Sequence, residues 1–488
     1  MCDVGKDLNA AGLPVELSAV DYLLHRGEAN PRTRSGILSL EILDTTPDWA
    51  RFQATFEAAS RKALRLREKV VVPTLPTAPA RWVVDPDFNI DYHVRRLRVA
   101  EPGTLRELLD LAELMLQAPM DTSRPLWTAT LVEGLADGKA AALLHMSHAV
   151  TDGVGGMEMF GQLYDLERDP PARRVAPLPV PKDLSPEDLM RDGLNRLPGS
   201  LLGGVRELVT GSARAATRVV GDPLGAAAGI VDYARSSLRM MQQATEPSPL
   251  LRRRSLSSRT ETLDIDLADL HRAAKAAQGS INDAYLAGMC GALRRYHVAL
   301  GVPIATLPMA VPVNLRTGTD PAGGNRFTGV NLAAPIGEAD PATRISKIRA
   351  QMTQRREERA LGLLGVIAPL LSVLPTPALE SLEGSVIAAD VQASNIPMYP
   401  GETYLAGAKV LCQYGLGPLP GVAMMAVLLS RNGLCTISVR YDRASITDET
   451  LFARCLQEGF DEVLALAGDP APRSRPTSFT ASTGSERA

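Results

Sequence analysis

The sequence predicts an α/β protein made of two blocks in which strands and helices alternate. Three observations support this class. Apolar residues recur with a period of two in some segments and of about 3.6 in others, in both halves of the chain. A proline-rich stretch at residues 169–186 separates the halves and is typical of a semi-rigid linker. The length of 488 residues suffices for two or three domains of roughly 100 to 200 residues each.

In the first block, a short helix and a strand are predicted at residues 18–43, and a helix with an apolar stripe at 47–67. A strand at 91–99 precedes a strongly helical segment at 105–117. Strands at 126–135 and 140–148 flank Asp137-Gly138, a dipeptide typical of tight hairpin turns. A further helix is predicted directly after this hairpin.

The second block begins with an alternating strand at Arg259, followed by helices at 269–278 and 282–300, a strand at 306–313 and a glycine-rich loop at 318–325. Residues 410–430 are apolar, but Pro418 and Pro420 interrupt them, which favours two buried strands in a hairpin near Pro418 over a membrane helix. Residues 361–374 are too short for a span of about 20 residues and indicate a buried or interfacial helix.

These patterns divide the chain into an N-terminal domain at 1–168, a linker and helical arm at 169–255, a C-terminal domain at 256–467 and a disordered tail at 468–488. Two interpretations are open for residues 189–244, where arginines recur through a weakly helical pattern. The segment is either an amphipathic arm that lies on lipid or a crossover covered by the rest of the protein. The second is favoured, because basic amphipathic helices are common on ordinary surfaces.

Composition excludes several classes of protein. Lys+Arg number 52 against 55 Asp+Glu, a net charge of -3, which argues against nucleic-acid binding. Hydrophobic residues at 45% and charged residues at 22% are typical of a soluble globular protein. The five cysteines are scattered without a Cys-x-x-Cys pair, so neither a disulfide framework nor a zinc or other metal site is expected. The first twenty residues lack the pattern of a secretory signal, which makes the cytoplasm the expected compartment.

One short motif could carry chemistry: His148, Asp152 and Gly153 form His-x-x-x-Asp-Gly between a predicted strand and a predicted helix. An imidazole at a strand end can remove a proton near neutral pH. Asp152 suits a helix N-cap, or it could pair with a distant arginine, and Gly153 would permit a tight turn. The alternative is that His148 is a buried structural histidine and Asp152 only a cap, and the motif alone does not decide between them.

Further segments extend the pattern. They are residues 18–41, 91–94, Arg124-Pro125-Leu126-Trp127, 147–153, Asn282-Asp283, 291–296, 311–316, 324–325, Ser394-Asn395-Ile396-Pro397 and 404–407. Taken in order over about residues 15–466, these segments resemble those of the bacterial wax ester synthase/diacylglycerol acyltransferase family. Of these, the Pro125-Leu126-Trp127 segment has a structural explanation as the start of a core strand.

The resemblance implies an α/β fold of two chloramphenicol acetyltransferase-like mixed-sheet domains with the active-site tunnel between them. It implies transfer of an acyl group from acyl-CoA, as co-substrate, to an alcohol acceptor, without a bound cofactor or metal. His148 would be the general base, Asp152 would support the loop and Gly153 its turn. Asn282, Ser394 and Asn395 become candidates for positioning substrate or stabilising an oxyanion, with loop hydrogen bonding an equal alternative.

The chain departs from the family motif, which usually has two adjacent histidines, because the first position is Ser147. Ser147 therefore becomes a candidate substrate contact. By the two-residue period, His145 shares its strand face with Ser147 and not with His148, so it is expected to be a packed core histidine.

Two alternatives follow from this departure: a related transferase with a specialised acceptor or a carrier-bound donor, or a catalytically silent lipid-binding homologue. Peripheral contact with the inner membrane face or lipid droplets is open, and the oligomeric state is not indicated.

Overall fold

The computed structural model describes residues 14–74, 78–151, 156, 159–171, 175–196, 245–314, 327–357, 389–468 and 473–476. Its helices are α1 Ala19–Gly27, α2 Trp49–Lys62, α3 Ile90–His93, α4 Leu105–Gln117, α5 Pro186–Arg196, α6 Leu267–Ala276, α7 Ile281–Ala299, α8 Pro341–Glu357 and α9 Glu449–Leu464. Short 3-10 turns occur at Leu64–Arg67, Ala136–Gly138, Gly161–Leu163, Pro249–Leu251 and Ala465–Ala467. The predicted loop at 318–325, the helix at 361–374 and the helix opened by Asp152 lie wholly or largely outside the described residues.

The strands of the N-terminal block are β1 Gly36–Leu43, β2 Glu68–Val71, β3 Arg81–Val84, β4 Val94–Arg98, β5 Trp127–Glu133, β6 Ala140–Ser147 and β7 Tyr164–Asp165. The later strands are β8 Ser258–Asp266, β9 Leu307–Asn314, β10 Phe327–Ala334, β11 Val391–Pro397, β12 Tyr404–Leu405, β13 Ala408–Leu416, β14 Met424–Arg431, β15 Leu434–Asp442 and β16 Arg475–Pro476.

The strands form two large mixed sheets. Within the described residues, the first sheet has the order β4-β5-β6-β1-β13-β12-β7 and the second the order β10-β9-β11-β14-β15-β8-β16. Parallel pairs (β4 with β5, β11 with β14) lie beside antiparallel ones. The predicted α/β class with two mixed sheets is therefore confirmed, and β2 and β3 form a separate two-stranded ribbon.

The strand β13 crosses from the C-terminal half of the chain into the first sheet. It pairs antiparallel with β1, with Leu38 opposite Leu416 and Glu41 opposite Gln413. The two strands predicted at 410–430 are present, but the predicted hairpin near Pro418 is wrong, since β14 lies in the second sheet. Local sequence indicated each strand, whereas the partner of β13 lies some 370 positions away and leaves no local signal.

Each sheet buries one face against helices. In the first sheet, Leu38 and Leu40 pack with α4 in one core, while α2 covers part of the opposite face with Phe52 and Phe56. In the second sheet, α6, α7 and α9 cover one face in a core that includes Tyr285. Most of the other face of the second sheet is left for contact with the N-terminal half.

The edge of β13 lies against that remaining face. The Thr436 and Ser438 hydroxyls of β15 donate to the backbone carbonyls of Gln413 and Gly415. A Cβ on Gly415 would lie 3.0 Å from Val427 Cγ1 of β14, so the missing side chain permits this approach. The two sheets therefore meet edge to face along β13.

Two predicted elements differ in the structure. Residues 91–93 are not strand but belong to α3, because the Asn89 side chain accepts the Asp91 amide at 2.9 Å and starts a helical turn. The predicted disorder of the tail is wrong for residues 473–476. There β16 pairs with β8, and the buried Ser474 hydroxyl donates to Asp461 Oδ1 at 2.6 Å.

The arm after the linker begins with α5. Leu189 of this helix is fully buried against Val71 and Val83 of the β2–β3 ribbon, so this part packs on the protein as in the crossover interpretation. Residues 197–244 lie outside the described residues. No helix in the described part of the chain has both the length and the apolar character that crossing a membrane requires.

Candidate active site

His148 follows β6 directly at the end of a central strand of the first sheet. Its amide donates to the Ser35 carbonyl at 3.2 Å, so the pairing between β6 and β1 continues one residue beyond the strand. Alternation along this extended pair places His148 on the face opposite Ser147 and His145. The residue is half-buried, whereas the seven residues before it are buried.

Ser147 is directed away from that face. Its fully buried hydroxyl donates to Glu28 Oε1 at 2.7 Å and accepts the Ala149 amide at 3.2 Å. Burial raises the pKa of Glu28, while the Ser147 hydrogen bond and the charge of Arg34 act in the opposite direction. The Ser147 side chain thus connects the end of α1 to the backbone that carries His148.

His145 is a packed core histidine, in agreement with the prediction. It lies opposite Leu38 in the β6–β1 register and is buried. Burial lowers its pKa to about 3, which keeps the ring neutral. A Cβ on Gly36 would lie 2.8 Å from His145 Nε2, so a glycine at this point leaves space for the ring.

The His148 face of β1 is less completely buried than its other face. On the α4 face, Leu38 and Leu40 are almost completely buried, as expected in the middle of a sheet. On the other face Ile37 and Ser39 are half-buried, as is Gly415 beside them in β13. Leu144 and Met146 of β6, on the same face, are buried in the core that includes Phe52 of α2, so the partial exposure is confined to a few positions beside that core. We call this surface, formed by Ile37, Ser39, Gly415 and His148, the β1 groove.

The second sheet contributes an apolar surface next to the β1 groove. Met425, Val427 and Leu429 of β14 form a cluster with Ile396 of β11. In the β11–β14 register, Ser394 lies opposite Val427 and therefore on the same face, where it is half-buried. Since Val427 also contacts Gly415, Ser394 belongs to the sheet face that β13 meets.

Asn395 and Asn282 occupy the opposite, helix-covered face of the second sheet. Asn395 lies opposite Leu428, which is part of the helix-side core. Its Nδ2 is 3.5 Å from Asn282 Oδ1 in the first turn of α7, where Asp283 completes a capping box with Ser280. The structure thus brings Asn282 and Asn395 together and directs the adjacent Ser394 to the other side.

Three other residues singled out in the sequence are Asp152, Gly153 and Trp127. Asp152 and Gly153 lie outside the described residues, so their roles stay predictions. Trp127 is buried, stacks on His93 with ring centroids 4.7 Å apart, and donates from Nε1 to the Leu66 carbonyl at 2.7 Å. These contacts confirm its structural interpretation.

Sequence reasoning missed Glu28 and Glu41. Glu41 is completely buried in β1, where the Gln413 amide and the Tyr164 hydroxyl donate to its Oε1. The available signal was the alternation in β1, where Ser39 and Glu41 interrupt an otherwise apolar strand on a single face. Glu28 left no comparable signal, since a polar residue at a helix end is ordinary.

Fold and sequence define the class of protein together: the chain is an acyltransferase with a chloramphenicol acetyltransferase-like fold. The sequence model of the wax ester synthase/diacylglycerol acyltransferase catalytic domain matches residues 12–285, and that of the C-terminal domain of the same family matches residues 323–463. The chain belongs to the wax ester synthase/diacylglycerol acyltransferase family.

Relatives support this assignment. A Mycobacterium tuberculosis H37Rv protein with the provisional name diacylglycerol O-acyltransferase is 70% identical over 464 residues, covering 95% of this chain and 94% of its own. Another protein of that strain with the same provisional name is 32% identical over 368 residues, covering 72% of this chain and 76% of its own.

Solved structures agree on the fold. The wax ester synthase/diacylglycerol acyltransferase of Marinobacter aquaeolei VT8 has a TM-score of 0.60 at 19% identity, covering 93% of this chain and 100% of that one. A starter condensation domain of rhizomide synthetase, in complex with C8-CoA and Leu-SNAC, has a TM-score of 0.55 at 15% identity, covering 94% and 95%.

Proposed function

We propose that this chain transfers an acyl group from acyl-CoA to the hydroxyl of an alcohol acceptor, with His148 as the general base. The observation that carries the proposal is the position of His148: half-buried at the end of a central strand, on the face of the β1 groove, in a chain of an acyltransferase family. A long apolar substrate would find apolar surface on β1 and on β14.

The reaction would proceed as a single displacement at the thioester carbonyl. The His148 imidazole removes the proton of the acceptor hydroxyl while its oxygen bonds to the carbonyl carbon. Collapse of the tetrahedral intermediate breaks the carbon–sulfur bond, and the CoA thiolate takes up the proton held by His148. The products are an ester and free CoA. Atoms and charge therefore balance without an oxidant or reductant.

Polar groups of the second sheet would assist this step. Ser394 lies on the face that β13 meets and could donate to the developing oxyanion. Asn282 and Asn395 contact each other on the opposite face, which supports a role in holding β11 against α7 rather than direct contact with substrate. Apolar surroundings would exclude water and so limit hydrolysis of the thioester.

The test is release of CoA from palmitoyl-CoA by purified protein, with hexadecanol or a diacylglycerol as acceptor. His148→Ala is expected to lower kcat by about 100- to 10,000-fold, the usual contribution of a general base. The matched control is His271→Ala, which removes an exposed histidine from α6 and should leave the rate unchanged. A His148→Ala protein that forms ester at a near-normal rate would overturn the proposal.

A panel of acceptors separates the remaining alternatives. Release of CoA only with a polyketide, glycolipid or amine acceptor would indicate a specialised transferase. Binding of palmitoyl-CoA without CoA release over any acceptor, unchanged in His148→Ala, would indicate a silent lipid-binding homologue.

For the arm at residues 189–244 the proposal follows the crossover interpretation, supported by the burial of Leu189. The full chain is therefore expected to remain in the supernatant when sedimented with phosphatidylcholine or phosphatidylglycerol vesicles. Co-sedimentation with either would favour peripheral membrane contact.

A further inference from the structure

Helices α7 and α9 leave a cavity between them at the surface of the C-terminal half of the chain. Its volume is about 410 Å³, which lies in the usual range of small-molecule sites. All of its lining residues come from these two helices, which cover one face of the second sheet. The first sheet meets the other face through β13. The cavity, which we call the α7–α9 cavity, is therefore separate from the site around His148.

Part of the lining of this cavity is apolar and continuous with the core of the second sheet. Cys455 of α9 is buried in that core, and Leu451, one turn earlier in the helix, packs against it. On the α7 side the cavity is lined by Val298, whose exposed fraction is 54%. A hydrocarbon segment placed here would cover Val298 and contact the edge of the core, so its burial is favourable.

The charged residues of the lining are mainly positive. Arg294 and Arg295 of α7 and Arg454 of α9 line the cavity together with one carboxylate, that of Glu458. Arg295 donates from Nη2 to Glu462 Oε2 at 2.7 Å, while its Nε lies 3.6 Å from Glu458 Oε2, too far for a hydrogen bond. Arg454 Nε lies 3.9 Å from Glu458 Oε1. The single carboxylate of the lining thus leaves an excess of positive charge.

Two donor groups of the lining lack an acceptor within the described part of the chain. Arg295 Nε is buried without a hydrogen-bond partner there. The guanidinium of Arg294, a half-buried residue, forms neither an ion pair nor a side-chain hydrogen bond with another described residue. Buried donors are rarely left unpaired, and a guanidinium can only donate. A ligand of this cavity should therefore bring acceptor oxygens, and the charge of the lining favours an anion.

We propose that the α7–α9 cavity binds a free fatty acid, with the carboxylate on Arg294 and Arg295 and the hydrocarbon chain over Val298 and Leu451. The two carboxylate oxygens can accept from both guanidinium groups. A phosphate dianion would bring a second negative charge beside Glu458, and an amine would meet the arginines with like charge. At about 30 Å³ for a group of the size of a water molecule, the cavity holds about fourteen such groups, which suits an acid of about eight to ten carbons.

The test is calorimetric titration of the full chain with four probes: octanoate, 1-octanol, octylamine and acetate. Octanoate is expected to bind about tenfold more tightly than each of the others, the usual effect of one charge-assisted hydrogen bond or a few buried methylene groups. The alcohol lacks the negative charge, the amine has the opposite charge, and acetate lacks the chain. The comparison therefore measures the head and chain contributions separately.

Arg294→Gln should weaken octanoate binding about tenfold and leave 1-octanol binding unchanged, because only the contact with the carboxylate is lost. Val298→Asp, at an exposed position, is a second variant that places a carboxylate in the path of the chain and should also weaken octanoate binding. The matched control is Arg349→Gln, which removes an exposed arginine from α8 and should bind octanoate like the wild-type protein. Octanoate bound elsewhere, including near His148, would not respond to either cavity variant.

Failure of the wild-type protein to bind octanoate would overturn the inference, as would octanoate binding that is unchanged in both Arg294→Gln and Val298→Asp. Equal affinity for octanoate and 1-octanol would overturn the role of the arginines, and equal affinity for octanoate and acetate would overturn the fatty acid as the ligand. The titrations need no turnover, so a protein that binds octanoate in this way and releases no CoA would support this inference while overturning the proposed reaction.

Discussion

The Ser147 hydroxyl donates a 2.7 Å hydrogen bond to the Glu28 carboxylate, and both side chains are almost completely excluded from solvent. The same hydroxyl accepts the Ala149 amide, so one buried side chain fixes the backbone on both sides of His148. Ser147 occupies the position where the resembled family usually has its first histidine. In this chain that position supports the loop and does not face the groove.

Removal of this contact should therefore reduce turnover. Ser147→Ala removes one hydrogen bond from the buried Glu28 carboxyl, which also interacts with Ser35 and Arg34, and removes the side-chain acceptor of the Ala149 amide. Loss of such buried partners typically costs about 1–3 kcal/mol of unfolding free energy. We expect kcat to fall about tenfold with little change in KM, because the imidazole is displaced while the groove is intact. Urea unfolding and steady-state CoA release measure the two effects.

Glu28→Gln is the conservative partner variant, since its amide oxygen still accepts the Ser147 hydroxyl. It should retain more activity than Ser147→Ala, and the double variant should lose less than the sum of the single losses. Strictly additive losses would contradict a direct coupling of the two side chains.

Short sequence windows predicted those helices and hairpins that are fixed by caps and turns within the window. The helix at 105–117 has the predicted bounds, because Thr104 and Glu107 form a capping box at its start. The β5–β6 hairpin follows from its Asp-Gly turn. By contrast, the pairing of β13 with β1 depends on the edge-to-face contact of two distant sheets, which no short window contains.

The residues of the candidate site also divide into those that local sequence predicts and those that depend on tertiary contacts. The strand-end position of His148 and the core position of His145 followed from alternation along β6. The separation of Ser394 from Asn395 could also follow from alternation, once β11 is known to be a strand. The partners of Ser147 and Glu41 could not be predicted, because Glu28 and Tyr164 reach them through tertiary packing alone.

A buried ion pair joins the two halves of the chain and should be sensitive to removal of one partner. Arg440 Nε of β15 lies 3.0 Å from Glu113 Oε2 of α4, and both residues are buried. Arg440→Met leaves the Glu113 carboxylate buried without its charge partner, which is expected to lower the unfolding free energy by about 3–5 kcal/mol. Chemical denaturation measures the loss.

The double variant Glu113→Gln/Arg440→Met removes both charges and should recover much of this loss. In the native protein Thr260 donates to Glu113 Oε1 and Ser258 to Glu113 Oε2. In the glutamine variant one of these hydroxyls can still donate to the side-chain oxygen, and the other can accept from the side-chain amide. A double variant no more stable than Arg440→Met would show that the charge itself is not what makes the single variant unstable.

The buried His145 predicts a specific acid sensitivity. Its pKa is about 3 in the folded protein against an ordinary 6.5, so below pH 6.5 the unfolded chain binds a proton that the folded protein does not. The stability contribution is present above pH 6.5 and is lost progressively as the pH falls toward 3. Between pH 7.5 and 5 the loss from this residue amounts to about 2 kcal/mol at 1.36 kcal/mol per pH unit.

His145→Leu should therefore weaken the fall in unfolding free energy between pH 7.5 and 5 by about that 2 kcal/mol. Leu143→Ala, on the same face of β6, is the matched control, because it removes core volume without a titrating group and should shift stability equally at both pH values. An unchanged pH slope in His145→Leu would contradict the burial of a neutral imidazole at this position.

The contact between α7 and α9 should reverse the usual effect of a glycine substitution. A Cβ on Gly459 of α9 would lie 2.3 Å from the Ala292 amide nitrogen and 2.7 Å from the Gly288 carbonyl oxygen of α7. On an open helix surface, Gly→Ala stabilises by up to about 1 kcal/mol. Here the obstructing atoms are backbone and cannot rotate away, so Gly459→Ala is expected to destabilise the protein by about 1–3 kcal/mol, as overpacked cores do.

The matched control is Arg454→Ala, which is exposed on the same helix and should change the thermal midpoint of unfolding little. A Gly459→Ala protein as stable as the wild type would show that the two helices can separate without loss, and would contradict the close backbone packing that holds α9 on the core of the second sheet.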